Sequence, residues 1–501
     1  MAGRHSGVLL HISSLMGDYG IGTFGREAKR FVDFLRAGGF HYWQVLPFTR
    51  IDSCNSPYKS DSAFAGNELF IDPEDLYEQG LLTAQELQEC RYPTPYATAY
   101  SWLKKQRPVM LKAAFGRMDS ALERNVQAFT DENRFWLYDY SLYRILQEEQ
   151  GEDDWRKWKD GPLKWHEEQA LSAFAEQHPE QMKYHAFVQY LFYHQWEVVK
   201  AYANTNGVQI IGDMPLYVSL ESTDVWSHRD LFELDQRGNP ARVAGVPPDY
   251  FSQDGQKWGN PLYDWSRMEA DDYSWWRQRL HHAMNLFDRV RIDHFRAFSA
   301  YWVVPAEAET AREGKWEPGV GKPFFDRLCQ EIDREQIIAE DLGTRDASLV
   351  KLLEETGFPG MRVMQFGFPD PADNLHLPHN YSYHTVAYSG THDNNTCLAY
   401  LWELTPQQRE DCLRYCGFSG GDWKEGGARN PAIRAMLRTL WSSHAGLVMA
   451  PIQDLCGFGG DTKMNRPGVA EGNWEFRLTR EALSQIDVPF LRQLNDVYRR
   501  S

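Results

Sequence analysis

The sequence predicts a (β/α)8 TIM barrel with large, mostly helical inserted subdomains and no C-terminal β-sandwich. Two features predict the barrel: short apolar runs rich in β-branched residues, which are typical of buried parallel strands, and helical segments between many of these runs. A third feature, the uneven spacing of the runs, predicts that further segments are inserted between the strands.

Eight apolar runs are candidate barrel strands. Each is a short, continuous stretch, without the alternation of a half-exposed strand. Runs of this length also occur in buried helices, so a single run could prove helical. The candidates are Trp43–Phe48, Leu69–Asp72, Val208–Asp213, Val290–Phe295, Gln336–Asp341, Met361–Phe366, His384–Gly390 and Leu447–Asp454.

Helices between the strands are indicated by their ends. The segment Phe24–Ala37 has apolar side chains on one face and stops at Gly38-Gly39, and glycine commonly ends helices. Thr83 and Thr405 each begin a capping-box pattern. These signals separate the candidate strands by helices, as a barrel of alternating units requires.

The longest intervals between candidate strands predict two insertions. One covers approximately residues 73–205, which are rich in helical patterns, Trp and Tyr, and the other covers approximately residues 218–285. Active sites of such barrels lie at the carboxyl ends of the strands, and we expect both insertions to stand over that end. Residues 1–501 are predicted to form a single catalytic unit.

Composition and charge exclude several classes of partner. The 501 residues include 53 Lys and Arg against 70 Asp and Glu, a formal net charge of −17, and no basic run. A nucleic-acid backbone or an anionic membrane would require a basic surface, so neither is an expected partner.

Aromatic residues make up 14% of the chain, including 18 Trp. Either a large core or the stacking of sugars on aromatic rings would explain this content.

The cysteines and the N-terminal segment predict a soluble, cytoplasmic protein. The seven cysteines are scattered without a CxxC pair, so neither a zinc ribbon nor a thioredoxin-type motif is indicated, and we expect reduced thiols. The apolar run Val8-Leu9-Leu10 is too short for a signal peptide, and no apolar stretch is long enough to span a membrane. No clustered ligand set implies a metal, and no cofactor is expected.

The first segment with chemical character is Arg289 to Phe295. Strand alternation would put Arg291, Asp293 and Phe295 on one face and His294 on the other. Arg291 can then keep Asp293 ionised, as a glycosidase nucleophile requires. A purely structural Arg–Asp pair would look the same.

The second segment ends an apolar run with two adjacent acids, Glu340 and Asp341. Carboxylates avoid burial, so an acidic pair at this place is unusual. Adjacent residues of a strand point to opposite faces, so one acid can face a site at the barrel top while the other accepts backbone hydrogen bonds. A buried Glu340 with a raised pKa would be a general acid, and a helix N-cap by Asp341 is the alternative.

The third segment, Ser389 to Thr396, is a small, polar run that contains Asp393. By itself it could be an ordinary Asx-turn. Together, the three segments place three carboxylates at strand ends of one barrel. Retaining cleavage of a glycosidic bond uses two carboxyl groups, a nucleophile and an acid/base, and a third can hold the distorted sugar ring.

These segments resemble those of the amylomaltase family, the 4-α-glucanotransferases of glycoside hydrolase family seventy-seven, within the α-amylase superfamily. Arg291–Phe295 is similar to the nucleophile segment, Ala339–Gly343 to the acid/base segment, and Thr391–Asp393 to the segment of the transition-state stabiliser. Gly212–Val218 is similar to the remaining superfamily region.

Further segments narrow the resemblance from the superfamily to the family. They are Ser6–His11, Trp43–Pro47, Ser56–Tyr58, Ser62–Asn67, Gly245–Ser252, Gly255–Pro261, Leu377–Tyr381 and Met464–Gly468, and they run through most of the chain. Departures from the family pattern occur at Phe48-Thr49-Arg50, at Asn395, where the family usually has Asp, and at Cys397. None of the departures falls on the three carboxylates.

The resemblance implies a retaining 4-α-glucanotransferase that moves α-1,4-glucan segments between sugar chains. It implies that Asp293 is the nucleophile, Glu340 the acid/base and Asp393 the stabiliser. It implies substrate binding by Ser56, Tyr58, Asp213, Asp249, Tyr250, Phe251, Gln256, Trp258, Arg291, His294, Phe366, His392 and Asn465. The expected partners are maltooligosaccharides, amylose or starch-type α-1,4-glucans, bound by a monomer or weak homo-oligomer.

The segment Pro247–Phe251 contains two prolines and two aromatic residues. We expect it to cover the site and favour a bound sugar acceptor over water, and an ordinary surface turn is the alternative.

Two other functions stay open: an α-1,4-glucan hydrolase of the α-amylase type and a catalytically inactive carbohydrate-binding protein. The loop and the missing β-sandwich argue against the first, and the presence of Asp293 and Glu340 argues against the second.

Overall fold

A computed structural model describes residues 3–92, 94–248, 252–370, 372 and 374–500. Within these residues the chain forms twelve β-strands. They are β1 (His5–Leu9), β2 (Tyr42–Gln44), β3 (Gln209–Met214), β4 (Arg242–Val246), β5 (Gln256–Pro261), β6 (Arg289–Ile292), β7 (Ala300–Pro305), β8 (Lys315–Pro318), β9 (Ile337–Ala339), β10 (Gly360–Val363), β11 (Thr385–Tyr388) and β12 (Leu447–Pro451).

Eight of these strands are parallel and close into a barrel in the order β1-β12-β11-β10-β9-β6-β3-β2. Side chains such as Ile211, Ile338, Val386 and Leu447 pack together in one fully buried cluster of strand residues. The strands read as continuous apolar runs because both of their faces are covered. The closed parallel barrel confirms the predicted (β/α)8 fold.

One predicted strand is wrong, and one barrel strand has no counterpart among the predicted runs. In Leu69–Asp72, residues up to Phe70 lie in a 3-10 turn capped by Asn67, and the Asp72 carboxylate caps the following helix. Leu69 and Phe70 are apolar because they pack in the main hydrophobic core. The unpredicted strand is β1, in which Gly7 allows close packing: a Cβ there would lie 2.7 Å from the Tyr42 Cβ atom.

Other predicted strands run past the real strand ends. Val290–Phe295 ends as β6 at Ile292, and Met361–Phe366 ends as β10 at Val363. The residues that follow leave the sheet at its carboxyl end. They are therefore free to point into the space above the barrel, where active sites of this fold lie.

The described residues also form nineteen α-helices. They are α1 (Arg26–Gly38), α2 (Pro73–Glu78), α3 (Ala84–Glu89), α4 (Tyr100–Phe115), α5 (Ser120–Glu132), α6 (Arg134–Gln150), α7 (Glu168–Gln177), α8 (Pro179–Thr205), α9 (Thr223–Ser227), α10 (Trp265–Ala270), α11 (Ser274–Leu286), α12 (Lys322–Leu328), α13 (Ala347–Thr356), α14 (Cys397–Glu403), α15 (Pro406–Tyr415), α16 (Pro431–Ser442), α17 (Ile452–Cys456), α18 (Arg480–Gln485) and α19 (Val488–Val497).

The helix ends follow the sequence signals. After α1, Gly39 adopts a left-handed conformation with φ 76°, which confirms the predicted stop. Both predicted capping boxes are present, at Thr83 before α3 and at Thr405 before α15. Local sequence therefore determines where these helices begin and end, as capping physics requires.

Two groups of elements stand apart from the regular barrel units. Helices α2 to α8 lie between β2 and β3, and β4, β5, β7 and β8 form an antiparallel sheet in the order β5-β4-β7-β8. The eight predicted runs include none of the strands of this second sheet. The division into insertions at 73–205 and 218–285 stays a prediction. Among the described residues, no helix has the length and apolar character needed to cross a membrane.

Candidate active site

The three predicted carboxylates line one cleft at the carboxyl ends of the barrel strands. Asp293 follows β6, Glu340 follows β9, and Asp393 lies in the loop after β11. The cleft has a volume of about 1640 Å³, including its opening to solvent. Its lining includes Ser56, Tyr58, Gln256, Trp258, Arg291, Asp293, His294, Glu340, Phe366, His392, Asp393 and Asn465. Twelve of the predicted site residues therefore meet at one place.

Glu340 is a buried acid with only 8% of its surface exposed. Its two carboxyl oxygens accept hydrogen bonds from the backbone N–H groups of His294 and Leu342, each at 2.8 Å. Burial raises the pKa of Glu340 to about 7, the Arg291 guanidinium opposes the rise, and the charge of Asp293 adds to it. Near neutral pH this carboxyl can both give and take a proton, as an acid/base catalyst must.

Asp341 points away from the cleft, although it is the next residue. Its carboxylate accepts a hydrogen bond of 2.7 Å from the backbone N–H of Met361 and one of 3.0 Å from the guanidinium of Arg362. The alternation of side chains along a strand predicts this split between Glu340 and Asp341. Asp341 joins the end of β9 to β10 and so helps to fix the backbone that carries Glu340.

Asp293 differs from Glu340 in its surroundings. Its side chain is 28% exposed, and Oδ1 lies 2.9 Å from the Nη1 atom of the buried Arg291. Burial by itself would lower the pKa of Arg291, but the charges of Asp213 and Asp293 raise it well above its ordinary value. The guanidinium is therefore a permanent cation, and it orients the Asp293 carboxylate at the floor of the cleft.

Asp213 lies beneath this floor. Its side chain is 0% exposed. Its two oxygens accept hydrogen bonds of 2.6 and 2.8 Å from Arg291, and one of them also accepts a bond of 2.6 Å from the Tyr58 hydroxyl. Substrate binding by Asp213, which the resemblance implies, stays a prediction. The hydrogen bonds of its carboxylate to Arg291 and Tyr58 connect it to two residues that line the cleft.

Tyr58 and His392 form one wall of the cleft. Their rings are stacked with centroids 5.3 Å apart, and the Tyr58 hydroxyl lies 2.9 Å from the Nε2 atom of His392. Because this hydroxyl gives its one hydrogen to Asp213, it must accept from His392, which assigns the proton of a neutral imidazole to Nε2. Ser56 accepts a hydrogen bond of 3.3 Å from the Tyr58 backbone N–H and shapes the turn that presents the tyrosine.

Asp393 lies beside His392 and also lines the cleft. Its side chain is 39% exposed, with His392 Nε2 at 3.4 Å from Oδ2. The Asn465 amide donates a hydrogen bond of 2.6 Å to Oδ1. Asp393 is thus oriented by His392 and Asn465 and keeps lone pairs for ligand hydroxyls.

A third wall comes from the second sheet and from His294. The Trp258 indole N–H donates a hydrogen bond of 3.1 Å to Gln256, and the Trp258 ring meets the His294 ring edge-on at 4.9 Å. Burial lowers the pKa of His294 to about 4, so its imidazole is neutral. Its Nε2 atom has no hydrogen-bond partner among the described residues, which leaves it available to a ligand.

The alternation predicted for Asp293 to Phe295 is wrong beyond Asp293. His294 has a left-handed backbone with φ 51°, which turns its side chain to the cleft and directs its N–H at Glu340. Phe295 packs instead in the core, 5.2 Å from the Phe325 ring. Alternation fails because the strand ends at Ile292, before these residues.

Some site residues fall outside the prediction or outside the described chain. Asp249, Tyr250 and Phe251 lie outside the described residues. Phe366 lines the cleft from the 3-10 turn after β10. Trp474 also lines the cleft, with its ring 5.7 Å from that of Tyr58, and no local sequence signal singles it out.

Comparison with known proteins identifies the family. The model of glycoside hydrolase family 77, described as 4-alpha-glucanotransferase, matches residues 10–483. The chain belongs to this family. The three carboxylate segments and the cleft that they form therefore belong to a family-77 member, as the resemblance in the sequence implies.

Relatives of this glucanotransferase-family chain cover its whole length. The 4-alpha-glucanotransferase of Streptococcus pneumoniae serotype 4 is 40% identical over 506 residues, covering 100% of this chain and 98% of the relative. That of Thermus thermophilus is 40% identical over 502 residues, covering 99% of each. A solved amylomaltase from Streptococcus agalactiae, in complex with acarbose, has a TM-score of 0.94 at 38% identity, covering 99% of this chain and 100% of that one.

The residues that depart from the family pattern do not line the cleft. The Asn395 amide donates a hydrogen bond of 2.6 Å to Glu403, where an aspartate would place two carboxylates together. Arg50 forms ion pairs with Asp61 and Glu68, away from the residues that line the cleft. In the described part of the chain, no group of three or more His, Cys, Asp or Glu side chains is arranged to hold a metal ion.

Proposed function

We propose that this family-77 glucanotransferase works by retaining double displacement, with Asp293 as nucleophile and Glu340 as acid/base. The contrast between two carboxyl groups in one cleft carries the proposal. Glu340 is buried with a pKa of about 7, whereas Asp293 is partly exposed and paired with the permanent cation Arg291. Retaining glycosidases use two carboxyl groups in different surroundings, one as the acid/base and the other as the nucleophile.

In the first step, a carboxylate oxygen of Asp293 attacks the anomeric carbon of an α-1,4-linked glucose unit. The bond to the departing sugar oxygen breaks, and Glu340 gives its proton to that oxygen. In the second step, Glu340 takes the proton of an acceptor hydroxyl, the acceptor oxygen bonds to the anomeric carbon, and Asp293 is released. Because the configuration inverts twice, the product keeps the α-linkage.

The remaining side chains bind and orient the sugar in this proposal. Asp393 and the Nε2–H of His392 hold hydroxyls of the ring as positive charge develops at its anomeric centre. The unpartnered Nε2 of the neutral His294 accepts or donates a further hydroxyl bond according to its tautomer. Asp213 acts indirectly, by holding Arg291 and Tyr58. Trp258 and Phe366 offer aromatic faces or edges to the apolar faces of sugar rings.

Transfer in preference to hydrolysis requires that a sugar acceptor reaches the intermediate before water does. We assign this task to the segment Pro247–Phe251, which connects β4 to β5, the strand that carries Gln256 and Trp258. A stiff, aromatic segment at this place would cover the acceptor side and exclude water. Its replacement by small residues at Tyr250 and Phe251 should raise hydrolysis relative to transfer.

The proposed substrates are maltooligosaccharides and longer amylose or starch-type α-1,4-glucans. Support comes from the relatives described as 4-alpha-glucanotransferases and from the acarbose complex of the S. agalactiae amylomaltase. We further propose a cytoplasmic monomer or weak homo-oligomer. The seven free cysteines of the structure support a reducing compartment, and the net charge of −17 disfavours nucleic acid as a partner.

Incubation with maltotriose alone tests the function. Transfer predicts glucose and a ladder of longer maltodextrins while the concentration of reducing ends stays constant. A rise in reducing ends without longer products would instead identify a hydrolase of the α-amylase type. No product from maltotriose or from longer glucans would favour the inactive carbohydrate-binding protein.

A further inference from the structure

Asp454 is a buried carboxylate that the proposed mechanism does not use. It lies on α17, directly after barrel strand β12, and is 2% exposed. Among the described residues no Lys, Arg or His forms an ion pair with it. A buried carboxylate without a cation is costly, so its hydrogen bonds must serve a purpose in the fold or in the site.

The hydrogen bonds of Asp454 reach both ends of one functional loop. Oδ2 accepts a bond of 2.6 Å from the hydroxyl of Ser389, the first residue after β11. Oδ1 accepts a bond of 2.7 Å from the backbone N–H of Cys397, the first residue of α14. The segment 389–397, which begins and ends with these two residues, presents His392 and Asp393 to the cleft. We call this segment the stabiliser loop.

Most of the stabiliser loop is buried, with Thr391, His392 and Thr396 exposed by 8%, 7% and 5%. A small pocket beside it, about 430 Å³ including its opening to solvent, is lined by loop residues including His392, Asn394 and Thr396 and by Asp454. Within the loop, Asn394 closes a local turn by accepting hydrogen bonds from Thr391. The middle of the loop is also held, for example by a hydrogen bond of 2.8 Å from the Gln365 amide to the Asn395 carbonyl, whereas the Asp454 carboxylate bonds to both loop ends.

We propose that Asp454 is a positioning residue that holds both ends of the stabiliser loop and thereby places Asp393 and His392 against the substrate. The inference rests on the proposed function, because it assigns those two side chains to the transition state. One rigid carboxylate fixes the separation of the two loop ends better than two independent contacts could. Misplacement of a reacting group by about 1 Å can cost about 100-fold in rate.

A set of variants separates anchoring from charge. Asp454→Ala removes both anchors and should lower kcat on maltotriose by about 10- to 100-fold, with a smaller change in KM. Asp454→Asn should restore most of the activity: its Oδ1 can accept from Cys397, and its Nδ2–H can donate to the Ser389 hydroxyl, which is able to accept. Ser389→Ala removes one anchor and should have an intermediate effect.

The double variant Asp454→Ala/Ser389→Ala tests whether the two residues act as a unit. We expect it to be no slower than Asp454→Ala alone, because the hydroxyl then has nothing left to anchor. Independent losses that multiply would overturn the proposal. A kcat of Asp454→Ala within twofold of the wild type would overturn it as well.

Asp72→Ala provides the matched control for a general loss of stability. Asp72 is also a buried carboxylate, 4% exposed, but it caps α2 outside the cleft. It should lower the unfolding temperature without lowering kcat at a temperature where the protein is folded. An equal fall in kcat for Asp72→Ala and Asp454→Ala would show a merely structural role.

Hydrogen–deuterium exchange of the intact protein gives a readout that does not depend on catalysis. The amides of residues 389–397 should exchange faster in Asp454→Ala than in the wild type, in Asp454→Asn or in Asp72→Ala. Unchanged exchange in the loop would refute the anchoring. Faster exchange in a protein whose wild type transfers no glucan would instead refute the proposed function and leave the anchoring in place.

Discussion

The pKa of Glu340 leads to a specific prediction about the pH dependence of transfer. The first step needs a protonated Glu340, whose pKa burial raises to about 7. With that pKa, the protonated fraction falls from about 0.9 at pH 6 to about 0.1 at pH 8. We therefore expect kcat/KM for maltotriose to fall about tenfold between these two pH values, with a slope approaching one decade per pH unit above pH 7.

The assay is the initial rate of glucose release from maltotriose between pH 5 and pH 9 at constant ionic strength. Glu340→Gln should abolish most of the activity and remove the alkaline limb from what remains. Glu331→Gln serves as the control, because Glu331 is a carboxylate paired with Arg277 and Arg327, outside the cleft. This variant should keep the wild-type limb.

The same pKa determines a stability difference with a definite sign. The folded-state pKa of Glu340 lies above the ordinary value of 4.5, so the folded state binds this proton more tightly than the unfolded state does. Stability is then lost as pH rises from 4.5 to 7, by up to about 3 kcal/mol. Glu340→Gln does not ionise, and its unfolding temperature relative to the wild type should rise between pH 5 and pH 8.

Two outcomes would refute this reasoning. An alkaline limb centred below pH 5.5 or above pH 8.5 would show that the surroundings of Glu340 do not set the protonation of the acid/base. A limb near pH 7 that persists in Glu340→Gln would assign the titration to another group.

Three further predictions concern the surroundings of the site. Asp213→Asn should lower stability by up to about 3 kcal/mol, since it breaks a buried ion pair with Arg291. Under the proposed indirect role of Asp213, it should also lower kcat more than it raises KM, and a KM effect alone on maltotriose would contradict that role. Asn395→Asp should lower the unfolding temperature at pH 7, because the new carboxylate would repel the carboxylate of Glu403. Adding Glu403→Gln should restore the unfolding temperature, and additive effects of the two substitutions would contradict this repulsion. Dialysis against EDTA should leave the transfer rate unchanged, and a loss that calcium restores would show that a metal is needed.

Much of the fold and the carboxylate arrangement could be predicted because local patterns determine them. Apolar runs marked seven of the eight barrel strands, and two acids of the cleft, Asp293 and Glu340, lie among the last residues of those runs. Glu340 and Asp341 point in opposite directions, as strand alternation predicts, although β9 ends at Ala339. Strand β1 was not predicted because Ser6 and Gly7 leave it with only a brief apolar run. Leu69–Asp72 was predicted as a strand because the apolar residues of a turn that packs in the core resemble those of a buried strand.

Other features of the site depend on contacts between distant parts of the chain, and no local sequence pattern predicts them. Asp213 stands 78 residues before Arg291, so its burial beneath the cleft follows only from the pairing of β3 with β6. Asp454 lies 57 residues after Cys397 and contacts it because β11 pairs with β12. The left-handed turn at His294 overrides alternation just where the strand ends. Each of these is a tertiary effect on residues that look ordinary in the sequence.

Trapping the glycosyl intermediate on Asp293 would test the central claim most directly. Glu340→Gln should react with α-maltosyl fluoride, whose leaving group needs no proton, but should be slow to activate an acceptor. The covalent intermediate should therefore accumulate, and mass spectrometry of the digested protein should find a maltosyl group on the peptide at Asp293, but none in Glu340→Gln/Asp293→Asn. A label on a different residue, or release of fluoride at a steady rate without any labelled peptide, would contradict a double displacement at Asp293.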